Sequence, residues 1–217
     1  LAHYVILETH NSNINLENIM GIGKQSKTLN KSQIEIVRTF LRSKRNGLRN
    51  ETIFLLSVKG GMRSVEISKL QWNMILNSDG EIGDYINLPN SSSKGNNGGR
   101  IIPINKDLKS NLIEYLKHCH KFYGFDKHKS FVVRTERSPF TTSQTIINMF
   151  QSWYGRLGLI GCSSHSGRRT FITETSKKIS MVGGSLRDIQ MMVGHSSLQT
   201  TQRYIESDSE SQMKVVN

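Results

Sequence analysis

The sequence is poor in cysteine, in acidic side chains and in long apolar runs, and each shortage excludes something. Only two cysteines, Cys119 and Cys162, occur in 217 residues. They are far apart and form no Cys-x-x-Cys pattern, which argues against a clustered metal site and fits a reducing compartment. Both read as core or near-core thiols. No apolar run exceeds four residues, as at Ile53–Leu56, far short of the roughly 20 needed to span a bilayer. No charged segment followed by an apolar one opens the chain, so no signal peptide is visible. The first residue is Leu1 rather than Met, which reads as a fragment or a chain with a leader. Internal repeats and long low-complexity tracts are also lacking. Acidic residues are the minority: 17 Asp and Glu face 29 Lys and Arg, a net charge of +12 and a pI near 9.9. That balance predicts attraction to a polyanion. Without a strongly amphipathic helix anchored by Trp or Phe, a membrane surface is the less favoured polyanion.

What is present fits one domain of ordinary size. About a third of the residues are hydrophobic, enough for a real core, and the mean hydropathy of −0.43 leaves a well-solvated surface. Residues 1–27 carry weak periodicity, with Asn11, Asn13, Asn15 and Asn18 followed by Gly21 and Gly23. They read as a leader or interdomain linker. The body runs over 28–206, and 207–217 form a polar tail ending in Met213, Val215 and Val216. A docking role for this tail on a neighbouring protomer and a disordered terminus remain equal readings.

The body predicts a mainly α fold with a small antiparallel β-sheet (α+β). Asn30 caps a helix bearing Ile34, Val37 and Leu41 at i, i+3 and i+7. A second helix from about Asn50 stops at Gly60-Gly61, and a short one follows through Val65, Ile67 and Leu70. Strands are expected at Gln71 to Leu76, Asp84 to Leu88 and Arg100 to Ile104. A Ser/Asn/Gly-rich loop, Ser91 to Gly99, joins the last two. Helices then return at Asp107 to Phe122, Thr142 to Leu157, His165 to about Ile179, Leu186 to Val193 and Leu198 to about Tyr204.

Several residues stand in an order that chemistry at a phosphodiester could use. Breaking such a bond without a metal requires fixed cations for the charge on two non-bridging oxygens, and planar guanidinium forks suit that task. It also requires a nucleophile, a base for it and an acid for the departing oxygen. Arg63 follows the Gly60-Gly61 turn and opens a helix, where backbone N–H groups also favour phosphate. Lys94 sits in the strand-to-strand loop. His165 and Arg168 are one turn apart on one helix. His195 follows Gly194 at a helix-to-helix turn, and Tyr204 lies nine residues later.

Taken singly, each has a structural reading. Arg63 could simply pair with Glu66, His195 could cap a helix, and Tyr204 could be a core aromatic. Lys94, like Lys59 and Lys69 nearby, could be merely solvated. The basic cluster Arg38, Arg42, Lys44, Arg45 and Arg49 could be a solvated face. Its functional alternative is salt-sensitive, non-specific DNA phosphate binding.

Together the segments resemble the tyrosine recombinase (phage integrase) family. The matching stretches are Gly-Gly-Met-Arg-Ser-Val-Glu-Ile (60–67), His-Ser-Gly-Arg-Arg-Thr-Phe (165–171) and Val-Gly-His-Ser-Ser-Leu-Gln-Thr-Thr-Gln-Arg-Tyr (193–204). The resemblance covers about Thr28 to Ile205. It implies that Arg63 and Arg168 clamp a scissile phosphate, that His195 adds a hydrogen bond, and that Lys94 protonates the 5′-oxygen leaving group. It further implies that His165 helps deprotonate Tyr204, that Tyr204 forms a 3′-phosphotyrosine link, and that Glu66 orients the cations. No cofactor, neither metal nor ATP, is expected. The implied partner is double-stranded DNA, engaged by a homotetramer on two DNA sites, in the cytoplasm with the nucleoid and with no membrane. A type IB topoisomerase-like or telomere-resolving enzyme is the alternative with the same chemistry, and a non-catalytic DNA-binding module the alternative without it. Two departures stand out. The segment 1–27 is too short to be the family's separate N-terminal clamp domain. Ser166-Gly167 replaces an often acidic or apolar pair, and Gly167 costs helix propensity.

Overall fold

The structure, a computed structural model, describes residues 25–92 and 99–206. The described residues contain eight α-helices, three short 3-10 turns and one two-stranded sheet. Helix α1, Lys31–Arg42, starts at a capping box: Asn30 Oδ1 accepts from Gln33 N at 2.8 Å, and Gln33 Oε1 accepts from Asn30 N at 3.0 Å. It buries Ile34, Val37 and Leu41, the apolar stripe legible in the sequence. Helix α2, Gly47–Val58, begins three residues before the expected Asn50 and is buried at every position from Asn50 to Val58. A helix buried on every side must be wrapped by others. Accordingly α2 packs on α1, on α4 (Lys106–Cys119) and on α6 (Ser166–Ile179).

After α2 the chain reverses at Gly60-Gly61. Gly61 has φ +62°, and a Cβ there would enter the ring of Phe171, so only glycine suits the position. Helix α3, Ser64–Lys69, follows at once and packs on α5, Ser143–Arg156. The expected strand at Gln71 to Leu76 is instead a 3-10 turn, Trp72–Met74, flanked by single bridges from Gln71 to Phe131 and from Leu76 to Ile82. The buried residues explain the difference. Trp72 and Ile75, three apart, both face the core, which a turn of helix achieves and a period-two strand does not. Trp72 packs its ring against Tyr115 and Phe125.

The other two expected strands form, as β1 (Tyr85–Leu88) and β2 (Arg100–Pro103). They pair antiparallel from Tyr85 opposite Pro103 to Leu88 opposite Arg100. Ile86, Leu88 and Ile102 face the core. Helices α7 (Leu186–Val193) and α8 (Leu198–Glu206) close the fold against α6, and β2 touches α7. Ile172, Ile189 and Val193 make a small second core there, with Tyr204 and Phe171 packed at its edge. Residues 26 and 27, placed in the leader by the sequence reading, join this body: Lys27 N donates to Gly161 O at 3.0 Å. The rest of the leader and the tail lie outside the described residues. Among those described, no helix is long and apolar enough to cross a membrane.

Gly167 lets α6 approach α2 closely, because a Cβ there would collide with Ser57. Gly167→Ala is therefore expected to destabilise the domain by about 1–3 kcal/mol through overpacking, despite the roughly 1 kcal/mol gain in helix propensity. Urea denaturation measures this, and a variant as stable as the parent would contradict the packing account.

Candidate active site

The site is organised by the end of α7. Three successive carbonyls there accept hydrogen bonds from three arginines. Arg100 Nε donates to Met192 O at 2.8 Å, Arg168 Nη2 to Val193 O at 2.6 Å, and Arg63 Nη2 to Gly194 O at 3.3 Å. The last carbonyls of a helix lack intrahelical partners and carry its negative pole, so cations gather there. Gly194 ends the helix with φ +63°, and a Cβ on it would press on Arg100. His195 is the next residue, so its backbone is placed by all three guanidiniums.

Glu66 is the carboxylate that balances them. Its side chain is fully buried on α3 and takes a bidentate pair from Arg100, Nη1 to Oε1 at 2.8 Å and Nη2 to Oε2 at 2.9 Å. Arg63 adds Nη1 to Oε1 at 2.9 Å and its backbone N to Oε2 at 2.7 Å. Arg63 stands just before the first turn of α3, so local sequence sets this second contact, while Arg100 arrives from β2. Burial alone would raise the Glu66 pKa. The hydrogen bonds and charge of Arg100, then the backbone N–H and charge of Arg63, outweigh it and hold Glu66 below the ordinary value.

Arg168 projects from the first turn of α6. Its Nη1 also donates to Gly61 O at 2.6 Å, just beyond α2. Two helix ends therefore hold one guanidinium. Burial pushes Arg168 down to about 9, and the neighbouring charge of Arg63 adds to that, so it remains cationic at pH 7. Burial, with Arg168, Arg63 and Arg100 adding repulsion, pushes His195 down to about 4, so its ring is neutral at pH 7. Three guanidiniums and one carboxylate leave an excess of positive charge suited to an anion.

Arg63, His165, Arg168, His195 and Tyr204 line one cleft of about 440 Å³ with Arg169, Arg203, Thr200, Gln25 and Ser26. The His195 and Tyr204 rings stack at 5.6 Å with 18° between their planes, and the Arg169 guanidinium lies 5.8 Å from the Tyr204 ring centre. His195 Nδ1 lies 2.9 Å from Thr201 Oγ1. Of the residues singled out in the sequence, the cleft thus gathers five, with Glu66 beneath them. Lys94 lies outside the described residues.

The basic cluster does not line this cleft. Arg38 bonds Glu35 and the buried Glu51, Arg42 pairs with Glu51 and Glu114, and Arg45 with Glu136. Arg49 donates to Asn50 Oδ1 and to Arg134 O, and Lys44 sits 4.7 Å over the Phe40 ring. Much of its charge is neutralised within the fold. Sequence reasoning missed Arg100, Thr201, Arg169 and Arg203. An arginine opening an apolar strand directly after the Lys94 loop was the one signal that pointed to Arg100.

The fold and the cleft define a mainly helical domain presenting arginines, histidines and one tyrosine to an anion. A profile of the phage integrase family matches residues 27–211, and the chain belongs to that family. It is similar to tyrosine recombinase XerC of Chlamydia caviae, 29% identical over 164 residues that cover 75% of this chain and 48% of that protein. It is also similar to tyrosine recombinase XerA of Pyrococcus horikoshii, 29% identical over 185 residues, 83% of this chain and 58% of that protein. The chain spans about half the length of the curated relatives it matches. Among solved structures, XerA recombinase superposes with a TM-score of 0.70 at 20% identity, covering 87% of this chain and 63% of that one. XerH bound to palindromic difH substrate gives 0.68 at 19% identity, covering 87% and 51%. The Tn1549 transposon integrase in complex with transposon right-end DNA gives 0.65 at 17% identity, covering 87% and 64%. At these identities the likeness is one of fold.

Removing the buried charge should expose how much rests on it. Glu66→Gln leaves Arg63 and Arg100 without their carboxylate and is expected to cost about 3–5 kcal/mol of stability. Because the folded-state pKa of Glu66 is depressed, its contribution is full above the ordinary glutamate value of about 4.3 and is lost as pH falls through the lower folded value. Denaturation across that acid range should therefore be less pH-dependent in Glu66→Gln, and unchanged curves would refute the assignment.

Proposed function

We propose that this chain is the catalytic domain of a site-specific DNA recombinase that cuts and rejoins strands through Tyr204. The observation that supports this most is the gathering of Arg63, His165, Arg168, His195 and Tyr204 around one cationic cleft, from segments more than 100 residues apart in sequence. The relatives named tyrosine recombinases, and the XerH and Tn1549 relatives held on DNA, support the same reading.

The Tyr204 oxygen attacks the phosphorus, its phenol proton passes to His165, and the bond from phosphorus to the 5′ oxygen breaks. A phenol has an ordinary pKa of about 10, so unaided attack near pH 7 is slow and a nearby base matters. Arg63 and Arg168 meet the charge on the non-bridging oxygens, and neutral His195 donates one further hydrogen bond. Lys94, between β1 and β2 in sequence, supplies the proton that the 5′ oxygen takes as it leaves. The product is a 3′-phosphotyrosine that keeps the energy of the broken bond. A 5′-hydroxyl of a partner strand then reverses the step, so neither ATP nor a metal enters the balance. Exchange takes place on double-stranded DNA between two sites within a tetramer of this protein. The paired cluster Arg38 to Arg49 contributes at most general attraction to the backbone.

A library of nicked duplexes with randomised sequence, treated with the protein and EDTA and then denatured, should yield a covalent DNA adduct. Tyr204→Phe should lose the adduct and retain DNA binding. An adduct that persists in Tyr204→Phe, or one abolished by chelation, sinks this mechanism. For Lys94→Ala, cleavage of a captured duplex should fall about 100-fold or more. It should return when sulfur replaces the bridging 5′ oxygen, since a thiolate leaves without a proton. No recovery would remove Lys94 from the acid role.

A further inference from the structure

We propose that Thr201 is a positioning residue that fixes the tautomer of His195, keeping the ring proton on Nε2 so that this nitrogen donates into the cleft. The consequence for catalysis rests on the function proposed above; the tautomer itself does not.

Thr201 lies on α8 with no exposure to solvent, and its hydroxyl is 2.9 Å from His195 Nδ1. Among the described residues, that ring nitrogen is the hydroxyl's only hydrogen-bond partner. Two arrangements fit the distance. If Nδ1 carries the proton, the hydroxyl oxygen accepts it and the buried hydroxyl's own proton meets no acceptor among the described residues. Native interiors rarely leave a buried donor unsatisfied. If the hydroxyl donates instead, both groups are satisfied and Nδ1 must be bare. A neutral imidazole then carries its proton on Nε2. The doubly protonated ring is disfavoured by the same contact, and the charges of Arg168, Arg63 and Arg100 oppose it further.

The rest of the ring's surroundings agree with a fixed donor. Gln190 Nε2 donates to His195 O at 3.0 Å, and the ring face lies on Tyr204. With Nδ1 occupied, Nε2 is the nitrogen left for a ligand in the cleft that His195 lines. Neutral His195 can stabilise a phosphoryl oxygen only from a nitrogen that bears hydrogen, so the wrong tautomer would offer a lone pair to an anion. Thr201 also stands one turn before Tyr204 on the same helix. Any shift of α8 that moves the tyrosine carries the tautomer-setting hydroxyl with it.

Long-range proton–nitrogen NMR on the 15N-labelled full chain at pH 7 tests this without DNA, with His195→Gln assigning the signals. The wild type and Thr201→Ser should show a bare, pyridine-like Nδ1 and a protonated Nε2. Thr201→Val, close in shape but lacking the hydroxyl, should show a mixture of tautomers. A protonated Nδ1 in the wild type overturns the proposal, as does a Thr201→Val spectrum identical to it. If Thr201→Val fails to fold, the wild-type and Thr201→Ser spectra decide. On a duplex captured as the covalent adduct, Thr201→Val should form adduct about 10-fold or more slowly, with Thr201→Ser near the wild-type rate. Equal slowing in both, or slowing with an unchanged tautomer, makes Thr201 a packing residue only. No adduct from the wild type counts against the proposed function, while the NMR result still decides the tautomer.

Discussion

The end of helix α7 is the constraint on which the site depends. Met192, Val193 and Gly194 offer three unpaired carbonyls in a row, and Arg100, Arg168 and Arg63 each take one. Each arginine comes from a different element: the first strand residue after the loop, the first turn of α6, and the entry to α3. A helix terminus is a fixed pole of negative charge, so it can assemble cations that would otherwise repel one another. The same carbonyls fix where His195 begins.

Glu66 completes this balance from the other side. Its burial is costly for a carboxylate, and that cost is offset by the matching fork of Arg100 together with one guanidinium nitrogen and the backbone N–H of Arg63. The result is a rigid platform whose positive charge exceeds its negative charge. Arg168, the most buried of the cations, is bound by neutral carbonyls and opposed by like charge. An anion in the cleft relieves that opposition. In this way structural hydrogen bonds within the protein orient guanidiniums for a ligand before it arrives. Arg63 shows that the structural and functional readings of one residue are compatible: its pair with Glu66 is what aims it.

Much of this was legible in the chain. The stripe on α1, its Asn30 cap, the stop at Gly60-Gly61 and all eight helices follow from local periodicity and capping chemistry. The strand expected at 71–76 failed because Trp72 and Ile75 are drawn to one side by the aromatic cluster of Tyr115 and Phe125, a contact no local pattern records. The pairs that Arg42 and Arg45 make with Glu114 and Glu136 were not legible, because those partners lie far along the chain.

The sequence by itself determined which reactive side chains exist, their order, and the helices that carry them, because caps and periodicity act over a few residues. Tertiary structure alone decided that Arg100 grips Glu66, that the buried Thr201 hydroxyl meets His195, and that Arg168 bridges two helix ends. Those contacts depend on the angle and depth at which helices pack. Such quantities are set by the whole core, not by any segment of the chain.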